Sequence, residues 1–328
     1  MKTYNYKSAP FEIHGIPFFG EHGKLRRLPD SLTESIPALK DAAYRLSGAR
    51  LMFRTDSKTI RIEIRVSNVY VDRGYAFYQS NVAPVFIGEH RTSRFAGILS
   101  ADNSYDSDMI YGTFTNDGMN DITVHLPQKP TVEDIDIYLD DDARVLAPTP
   151  FTVKNPFLFY GSSIVENGHC GVQNGYPALL AREFDADFYN LGVSGLARGE
   201  LEFAEYITGI VHSVFFMDYD HNAPTPEHLA ATHYPFYEYY RKKCPDTPVI
   251  MSSRPAFDDP TSAERLEIVC KSYEKGIAAG DKNLYFVDGR TLFCGVDENI
   301  CTTDRTHPND LGHYLMYKRL AEIVEKIL

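Results

Sequence analysis

The chain of 328 residues contains no tryptophan, few cysteines and no long apolar run. An odd, scattered set of cysteines does not match the disulfide framework of a small secreted domain. We therefore predict five free thiols, at Cys170, Cys244, Cys270, Cys294 and Cys301. No stretch reaches the roughly 18 apolar residues of a membrane-spanning helix. Residues 1–6 also lack the apolar segment of a signal peptide, which predicts a cytoplasmic protein unless a signal has been removed.

Positive charge is scarce as well. The chain has 33 Lys and Arg residues against 45 Asp and Glu residues, which gives a net charge of −12. An acidic protein without basic clusters is a poor candidate for binding nucleic acid or an anionic membrane surface. We attribute the acidic excess to solubility. The hydrophobic fraction of 43% is ordinary for a globular protein, and the length accommodates two domains. The sequence carries no signal for an oligomeric state.

Motifs for a metal or an organic cofactor are missing. Cys294, Cys301 and His307 match no common zinc spacing. The glycines between residues 192 and 199 do not follow the G-x-G-x-x-G pattern of a nucleotide-binding loop. We therefore expect the protein to use neither a metal nor an organic cofactor.

Residues 50–146 show the two-residue period of β-strands. Residues 59–66 alternate strictly between apolar and polar side chains, as a strand with one buried face does. Weaker alternation marks residues 50–55, 121–126 and 134–139, turn-forming residues separate these segments, and no helical period appears between them. Short strands with frequent turns predict an antiparallel, jelly-roll-like β-sandwich, which we assign to residues 1–150.

The second half of the chain alternates between apolar strands and helical segments. Prolines at positions 148, 150 and 156 mark the predicted boundary, because they stop helices and stiffen a connection. Strands are predicted at 157–160, 188–193, 214–217, 249–251 and 284–287, and helices at 176–184, 199–210, 226–242, 262–279 and 309–328. Continuous apolar strands fit a parallel sheet covered on both faces. We therefore predict a three-layer α/β/α domain with a five-stranded parallel sheet for residues 151–328.

Chemically competent residues follow several of these predicted strands, where α/β sheets bind their ligands. Ser163 follows the first strand, at a predicted strand-to-helix turn whose free N–H groups would stabilise negative charge. Gly195 follows the second strand, and a glycine lets the backbone approach a ligand closely. Each feature also has a plain structural explanation, a helix cap for the serine and a tight turn for the glycine.

The third strand and the last predicted helix add the remaining candidates. Asn222 follows the third strand, where its amide could bind an oxyanion or cap the next helix, as Thr225 also could. Asp304 and His307 precede the last helix, and a lone histidine there would usually be a surface residue. An aspartate three residues before a histidine can fix its tautomer, so that the imidazole accepts a serine proton. The order of these residues along successive strand ends predicts an active site.

This constellation resembles the SGNH, or GDSL-like, hydrolases. Their blocks are Gly-Asp-Ser, a glycine after a strand, Gly-x-Asn and Asp-x-x-His, and they match most of residues 155–328. Gly161-Ser162-Ser163-Ile164 is similar to the first block, the stretch from Asn190 to Gly195 to the second, and Asp304-Arg305-Thr306-His307 to the last.

Two departures from the family pattern affect the site. Ser162 replaces the aspartate of Gly-Asp-Ser, a variation known in related subgroups. The third block lacks its glycine and its second acid, because His221 precedes Asn222 and Ala223 follows it. Asp220 or His221 could therefore bind substrate in a way that the family pattern does not anticipate.

The resemblance implies a mechanism for this chain. Ser163 would be the nucleophile, His307 its general base, and Asp304 the residue that orients the base. The N–H groups of Ser163 and Gly195 and the side-chain amide of Asn222 would form the oxyanion hole. An acyl-enzyme would form and then be hydrolysed, with no metal or organic cofactor.

The first half of the chain also resembles part of this family. Residues 15–19, 27–29 and 47–50 are similar to segments of SGNH-type esterases that carry a β-sandwich in front. Such two-domain proteins are associated with removing acyl groups, often acetyl, from carbohydrates, so a small-molecule or carbohydrate ester is the implied substrate. The alternatives are a lipase or lysophospholipase, and a non-catalytic carbohydrate-binding protein. A tyrosine cluster after a strand could stack on a sugar ring: Tyr70, Tyr75 and Tyr78.

Overall fold

The computed structural model describes residues 1–69, 76–101, 108–255 and 260–328. Within these described residues, ten strands of the first half form two antiparallel sheets, ordered β1-β9-β4-β7 and β10-β3-β8-β5-β6, with β2 paired to β3. The strands are β1 (Lys2–Asn5), β2 (Glu12–His14), β3 (Arg50–Thr55), β4 (Thr59–Ser67), β5 (Ala83–Ile87), β6 (Arg94–Leu99), β7 (Met109–Thr115), β8 (Asn120–His125), β9 (Thr131–Leu139) and β10 (Val145–Leu146).

The strict alternation at residues 59–66 is strand β4. Its residues Ile60, Ile62 and Ile64 are fully buried in the hydrophobic core of the two sheets, while the intervening polar residues lie nearer the surface. Strand β9 of the same sheet, and strands β3 and β5 of the other sheet, contribute to the same core. The predicted antiparallel sandwich is therefore confirmed.

Sequence periodicity did not reveal the helical segments of the first half. These are α1 (Phe19–His22), α2 (Asp30–Ser35) and, later, α3 (Phe77–Asn81). Leu32 of α2 packs, together with Leu28 and Leu39, into the core on one face of the second half's sheet. This segment of the first half thus covers the other half of the molecule, and the division at residues 150 and 151 stays a prediction.

The second half is the predicted three-layer α/β/α unit, and this prediction is confirmed. All its strand pairs are parallel, in the order β12-β11-β13-β14-β15. The elements are β11 (Val153–Gly161), α4 (Tyr176–Glu183), β12 (Ala186–Gly192), α5 (Leu201–Thr208), β13 (Val214–Asp218), α6 (Pro226–Lys243), β14 (Val249–Ser252), α7 (Ser262–Ala278), β15 (Leu284–Val287) and α8 (Asp310–Ile327).

Alternate side chains of strand β11 point to opposite faces of the sheet. Leu158 and Tyr160 join the core on one face, and Phe157 and Phe159 join the core on the other. Each of these four side chains is fully buried. Because both faces are covered, the strand is apolar without a polar face, as a buried parallel strand should be.

The carboxyl ends of three neighbouring strands meet at one edge of this sheet. Gly161 at the end of β11 is aligned with Gly192 of β12 on one side and with Asp218 of β13 on the other. The strand order changes direction between β11 and β13, and such a switch point is where α/β sheets form their binding crevices. Among the described residues, no helix is long and apolar enough to cross a membrane.

Candidate active site

Three of the predicted residues form one chain of hydrogen bonds. The Ser163 Oγ lies 2.8 Å from Nε2 of His307. On the other side of the ring, Nδ1 of His307 lies 2.7 Å from Oδ2 of Asp304. With the proton of a neutral imidazole on Nδ1, facing the carboxylate, Nε2 is free to accept the serine proton. The geometry is that of a nucleophile, a base and a group that orients the base.

The loop before α8 holds Asp304 in place through its own backbone. Oδ1 of Asp304 accepts hydrogen bonds from the N–H groups of His307 at 2.7 Å and Thr306 at 3.0 Å. Partial burial raises the pKa of Asp304. The two N–H groups and the imidazole lower it by more than burial raises it, so that its pKa lies below the ordinary value. The carboxylate is therefore ionised at neutral pH and available to stabilise an imidazolium.

The backbone after Ser163 differs from the prediction. We expected the N-terminus of the following helix to supply free N–H groups beside Ser163, but residues 163–169 form a succession of turns. That helix, α4, begins at Tyr176, where the predicted helix at 176–184 begins. The carbonyl oxygen of Ser163 accepts from the N–H of Gly168 at 2.7 Å, which closes these turns. Within the described part of the chain, the N–H of Ser163 has no protein acceptor. A free donor beside the nucleophile is retained, although it comes from a turn and has no helix dipole behind it.

The predicted oxyanion residues Gly195 and Asn222 contact each other directly. The N–H of Gly195 donates to Oδ1 of Asn222 at 3.0 Å, and Nδ2 of Asn222 donates to the carbonyl oxygen of Val193 at 2.8 Å. These two bonds fix which way the amide points, since the glycine can only donate and the carbonyl can only accept. Gly195 has a φ of 70°, a left-handed conformation that favours glycine.

The residues around Asn222 have structural partners. Asp220 is buried and accepts hydrogen bonds from the N–H of Arg254 at 3.0 Å and from the Arg265 guanidinium at 3.1 Å. Burial and the Arg254 guanidinium lower the pKa of His221 to about 3, so its imidazole is neutral. Thr225 caps α6 by accepting the N–H of His228 at 3.2 Å, which leaves Asn222 outside the capping role.

Another carboxyl group, that of Asp218, lies at the end of β13, beside the backbone that leads to Ser163. Burial raises the pKa of Asp218 to about 7, although the Tyr176 hydroxyl donates to this carboxyl group at 3.0 Å. The backbone carbonyl of Asp218 accepts the N–H of Ser162 at 3.1 Å. Asp218 therefore links the end of β13 to the start of the nucleophile turn, which we define as residues 162–169.

His169, which was not among the predicted site residues, stacks on the catalytic candidate His307. The two ring centroids lie 4.4 Å apart with an angle of 9° between the planes. Nδ1 of His169 is bonded to the hydroxyl of Thr303, in the same loop as Asp304. The available signal was a histidine with glycine on one side, six residues after the serine, in Gly168-His169-Cys170.

Among the described residues, His169, Asp304 and His307 form a group that could hold a metal ion. Each offers one ligand atom, and these atoms lie within 4.8 Å of one another. Both nitrogens of His307, however, already lie within hydrogen-bonding distance of Ser163 and Asp304. An ion would have to displace these bonds, so the arrangement favours proton transfer over metal binding.

The tyrosine cluster predicted to contact sugar lies outside the described residues, because Tyr70 and Tyr75 and the side chain of Tyr78 are not among them.

Solved structures share this two-part architecture. A Bacteroides ovatus protein assigned to the GDSL-like lipases is 24% identical, with a TM-score of 0.87, covering 99% of this chain and 97% of its own. The salicylyl-acyltransferase SsfX3, from a tetracycline biosynthetic pathway, is 18% identical, with a TM-score of 0.79 and coverage of 100% and 98%. An acetyl xylan esterase from Butyrivibrio proteoclasticus is 12% identical, with a TM-score of 0.59 and 99% coverage of both chains. At such low sequence identities, these similarities establish a shared fold and nothing about activity or substrate.

The family is shown by the sequence itself. Residues 154–328, more than half of the chain, match the GDSL-like lipase/acylhydrolase family. No curated protein matches the chain. The matched segment begins within β11 and contains Ser163, Asp304 and His307. The chain therefore belongs to the GDSL-like lipase/acylhydrolase family and is a carboxylic ester hydrolase.

Proposed function

We propose that the protein is a serine esterase that removes short acyl groups, above all acetyl, from carbohydrates. The observation that carries this proposal is the continuous hydrogen-bonded chain from Ser163 through His307 to Asp304. Nδ1 of His307 is held by the carboxylate, so Nε2 takes the proton of Ser163 as Oγ attacks the ester carbonyl. Nε2 then returns the proton to the departing alcohol, leaving an acyl-enzyme. Water attacks this ester with the same base, and the acid is released.

The oxyanion of each tetrahedral intermediate is assigned to Ser163, Gly195 and Asn222. The N–H of Ser163 faces no competing protein acceptor within the described part of the chain. Nδ2 of Asn222 carries two hydrogens, and one of them is used by Val193, so the second is available. The N–H of Gly195 must exchange its bond to Asn222 for one to the oxyanion. One such donor typically contributes about 3 kcal/mol to transition-state stabilisation.

The substrate class is supported by the resemblance of both halves of the chain to acetyl-removing esterases. The similar acetyl xylan esterase covers 99% of this chain, including the sandwich. The SsfX3 protein is an acyltransferase, so acyl transfer to an acceptor other than water is the competing chemistry for the same acyl-enzyme. We propose hydrolysis, with a cytoplasmic location and no nucleic-acid partner, on the grounds given by the sequence.

The proposal predicts a preference for the shortest acyl chain. We expect kcat/KM to fall from 4-nitrophenyl acetate to butyrate to octanoate, by at least about tenfold overall, because an acyl site shaped for acetyl rejects added methylenes. Measuring initial rates on the three esters, and acetate release from acetylated xylo-oligosaccharides, tests this. A preference for octanoate would overturn the proposal in favour of a lipase-type activity. Transfer of acetyl to added alcohol at the expense of acetate release would favour an acyltransferase.

A further inference from the structure

A buried carboxylate, Glu166, lies three residues after Ser163 in the nucleophile turn. Its side chain is fully buried. Oε2 accepts a hydrogen bond from the N–H of Ser194 at 2.8 Å and another from the Ser194 hydroxyl. Ser194 immediately precedes Gly195, the predicted oxyanion donor. One side chain of the nucleophile turn therefore holds the backbone of the oxyanion loop.

The other oxygen of Glu166 faces three cations from the first half of the chain. Oε1 lies 3.5 Å from Nζ of Lys129, 3.5 Å from Arg45 and 3.6 Å from Arg27. Lys129 follows strand β8, whereas Arg27 and Arg45 flank the segment that packs on the parallel sheet. Burial raises the pKa of Glu166, but the three cations and Ser194 lower it to about 2. The carboxylate is ionised across the whole working range of an esterase.

The first half of the chain also holds the backbone on both sides of the contact between Glu166 and Ser194. The carbonyl oxygen of Glu166 accepts from the Ser47 hydroxyl at 2.8 Å and from the side-chain amide of Gln128. The Arg27 guanidinium donates to the carbonyl of Gly192 at 3.1 Å, at the end of β12. A Cβ atom at Gly192 would lie 2.3 Å from the N–H nitrogen of Glu166, so the two loops touch at this point.

Hydrogen bonds, and no contacts on its Cβ side, hold the oxyanion loop (residues 193–196) at Gly195. A Cβ built on Gly195 would meet no atom within 4 Å. The N–H of Gly195 donates to Asn222, its carbonyl oxygen accepts from Nε of Arg198 at 2.8 Å, and the preceding N–H donates to Glu166. Hydrogen bonds in which a charged group donates or accepts are shorter and stronger than neutral ones. Glu166 is fully buried, whereas Arg198 is exposed to water, so Glu166 is the group best placed to set the direction of this backbone.

We propose that Glu166 is a positioning residue through which the first half of the chain sets the geometry of the oxyanion hole. Lys129, Arg27 and Arg45 hold the carboxylate, and the carboxylate holds the Ser194–Gly195 backbone at a fixed distance from Ser163. The sandwich half then contributes to the chemical step as well as to any substrate contact. This inference rests on the proposed assignment of Gly195 to the oxyanion hole.

The variant Glu166→Gln tests the proposal, because it keeps the shape and removes the charge. We expect kcat on 4-nitrophenyl acetate to fall about 100-fold, the size of effect that a misplaced catalytic group produces. KM should change by less than about twofold, since the ground-state ester does not depend on the hole. The inhibition constant of methylboronic acid, which forms a tetrahedral adduct with a serine oxygen, should rise in parallel with the loss in kcat. The matched control is Glu264→Gln, at an exposed position in the first turn of α7.

A second variant covers the case in which Glu166→Gln fails to fold. Ser194→Ala removes only the hydroxyl bond to Glu166, leaves the buried charges unchanged, and should lower kcat about tenfold in a protein that still folds. Wild-type kcat and boronate affinity in folded Glu166→Gln, or in Ser194→Ala where the first variant does not fold, would overturn the positioning role. An inactive Ser163→Ala beside a fully active Glu166→Gln removes this inference alone, whereas an active Ser163→Ala removes the proposed function.

Discussion

Replacing Ser163 with alanine should lower kcat/KM for 4-nitrophenyl acetate by about 10⁴- to 10⁶-fold, the range found when a serine nucleophile is removed. The Oγ of Ser163, 2.8 Å from His307, is the atom to which the acyl group would be transferred, and alanine offers no substitute. The remaining donors of the oxyanion hole would still accelerate attack by water, so a residual rate above the uncatalysed reaction is expected. Initial rates, corrected for spontaneous hydrolysis, measure the effect.

The neighbouring serine provides a matched control. Ser162 is fully buried, and its Oγ accepts the N–H of Ile164 at 3.2 Å. Ser162→Ala should therefore cost less than about tenfold in kcat/KM, since a neutral hydrogen bond within a turn is lost and no reacting atom is removed. A large loss in Ser162→Ala with little loss in Ser163→Ala would reverse the assignment of the nucleophile.

Replacing Asp304 with asparagine should lower kcat by about 10³- to 10⁴-fold, because it imposes the wrong tautomer on His307. Asp304 accepts three hydrogen bonds, two from backbone N–H groups and one from Nδ1 of His307. An asparagine has one accepting oxygen, and the two backbone donors hold it on their side. Its NH₂ group then donates to Nδ1, which moves the ring proton to Nε2. His307 in that state cannot accept the proton of Ser163.

Asp304→Ala should be the milder change, with a loss of about 10- to 100-fold. The Asp304 side chain is 41% exposed, so water can enter the space and accept the Nδ1–H in its place. Asp310→Asn is the matched control, because Asp310 bonds the 171–174 loop and does not contact His307. Steady-state kinetics on the three variants give the ranking. Equal rates for the Asn and Ala variants at position 304 would contradict the tautomer argument.

The sequence predicts the parallel sheet well for a physical reason. Strands β13 and β14 are buried at every residue, and the predicted strand at 284–287 coincides with β15. Strand β5 escaped detection because all five of its residues are buried, so it has no alternation, and it contains a proline. The helical segment α2 was missed because its six residues are too few to show a helical period, and its core contacts are with the second half of the chain.

Some residues of the candidate site could likewise be predicted from the sequence, and others could not. Ser163, Asn222 and His307 could be found because each follows a strand or precedes a helix with its own sequence signal, and the sheet brings those ends together. Glu166 and His169 carry no such signal. Glu166 gains its role from cations that lie more than thirty residues away in sequence, and His169 gains its role from a ring stack with His307. Contacts of this kind exist only in the folded chain.

The most direct test of the account is covalent labelling with an alkyl fluorophosphonate, which phosphonylates activated serine nucleophiles with loss of fluoride. Intact-protein mass spectrometry should show one phosphonyl group per chain, in step with loss of esterase activity, and peptide mapping should place it on Ser163. Asp304→Asn should be labelled far more slowly, because its His307 cannot activate the serine. Full loss of activity with the label on another residue, or full activity after quantitative labelling of Ser163, would contradict the assignment of Ser163 as the nucleophile.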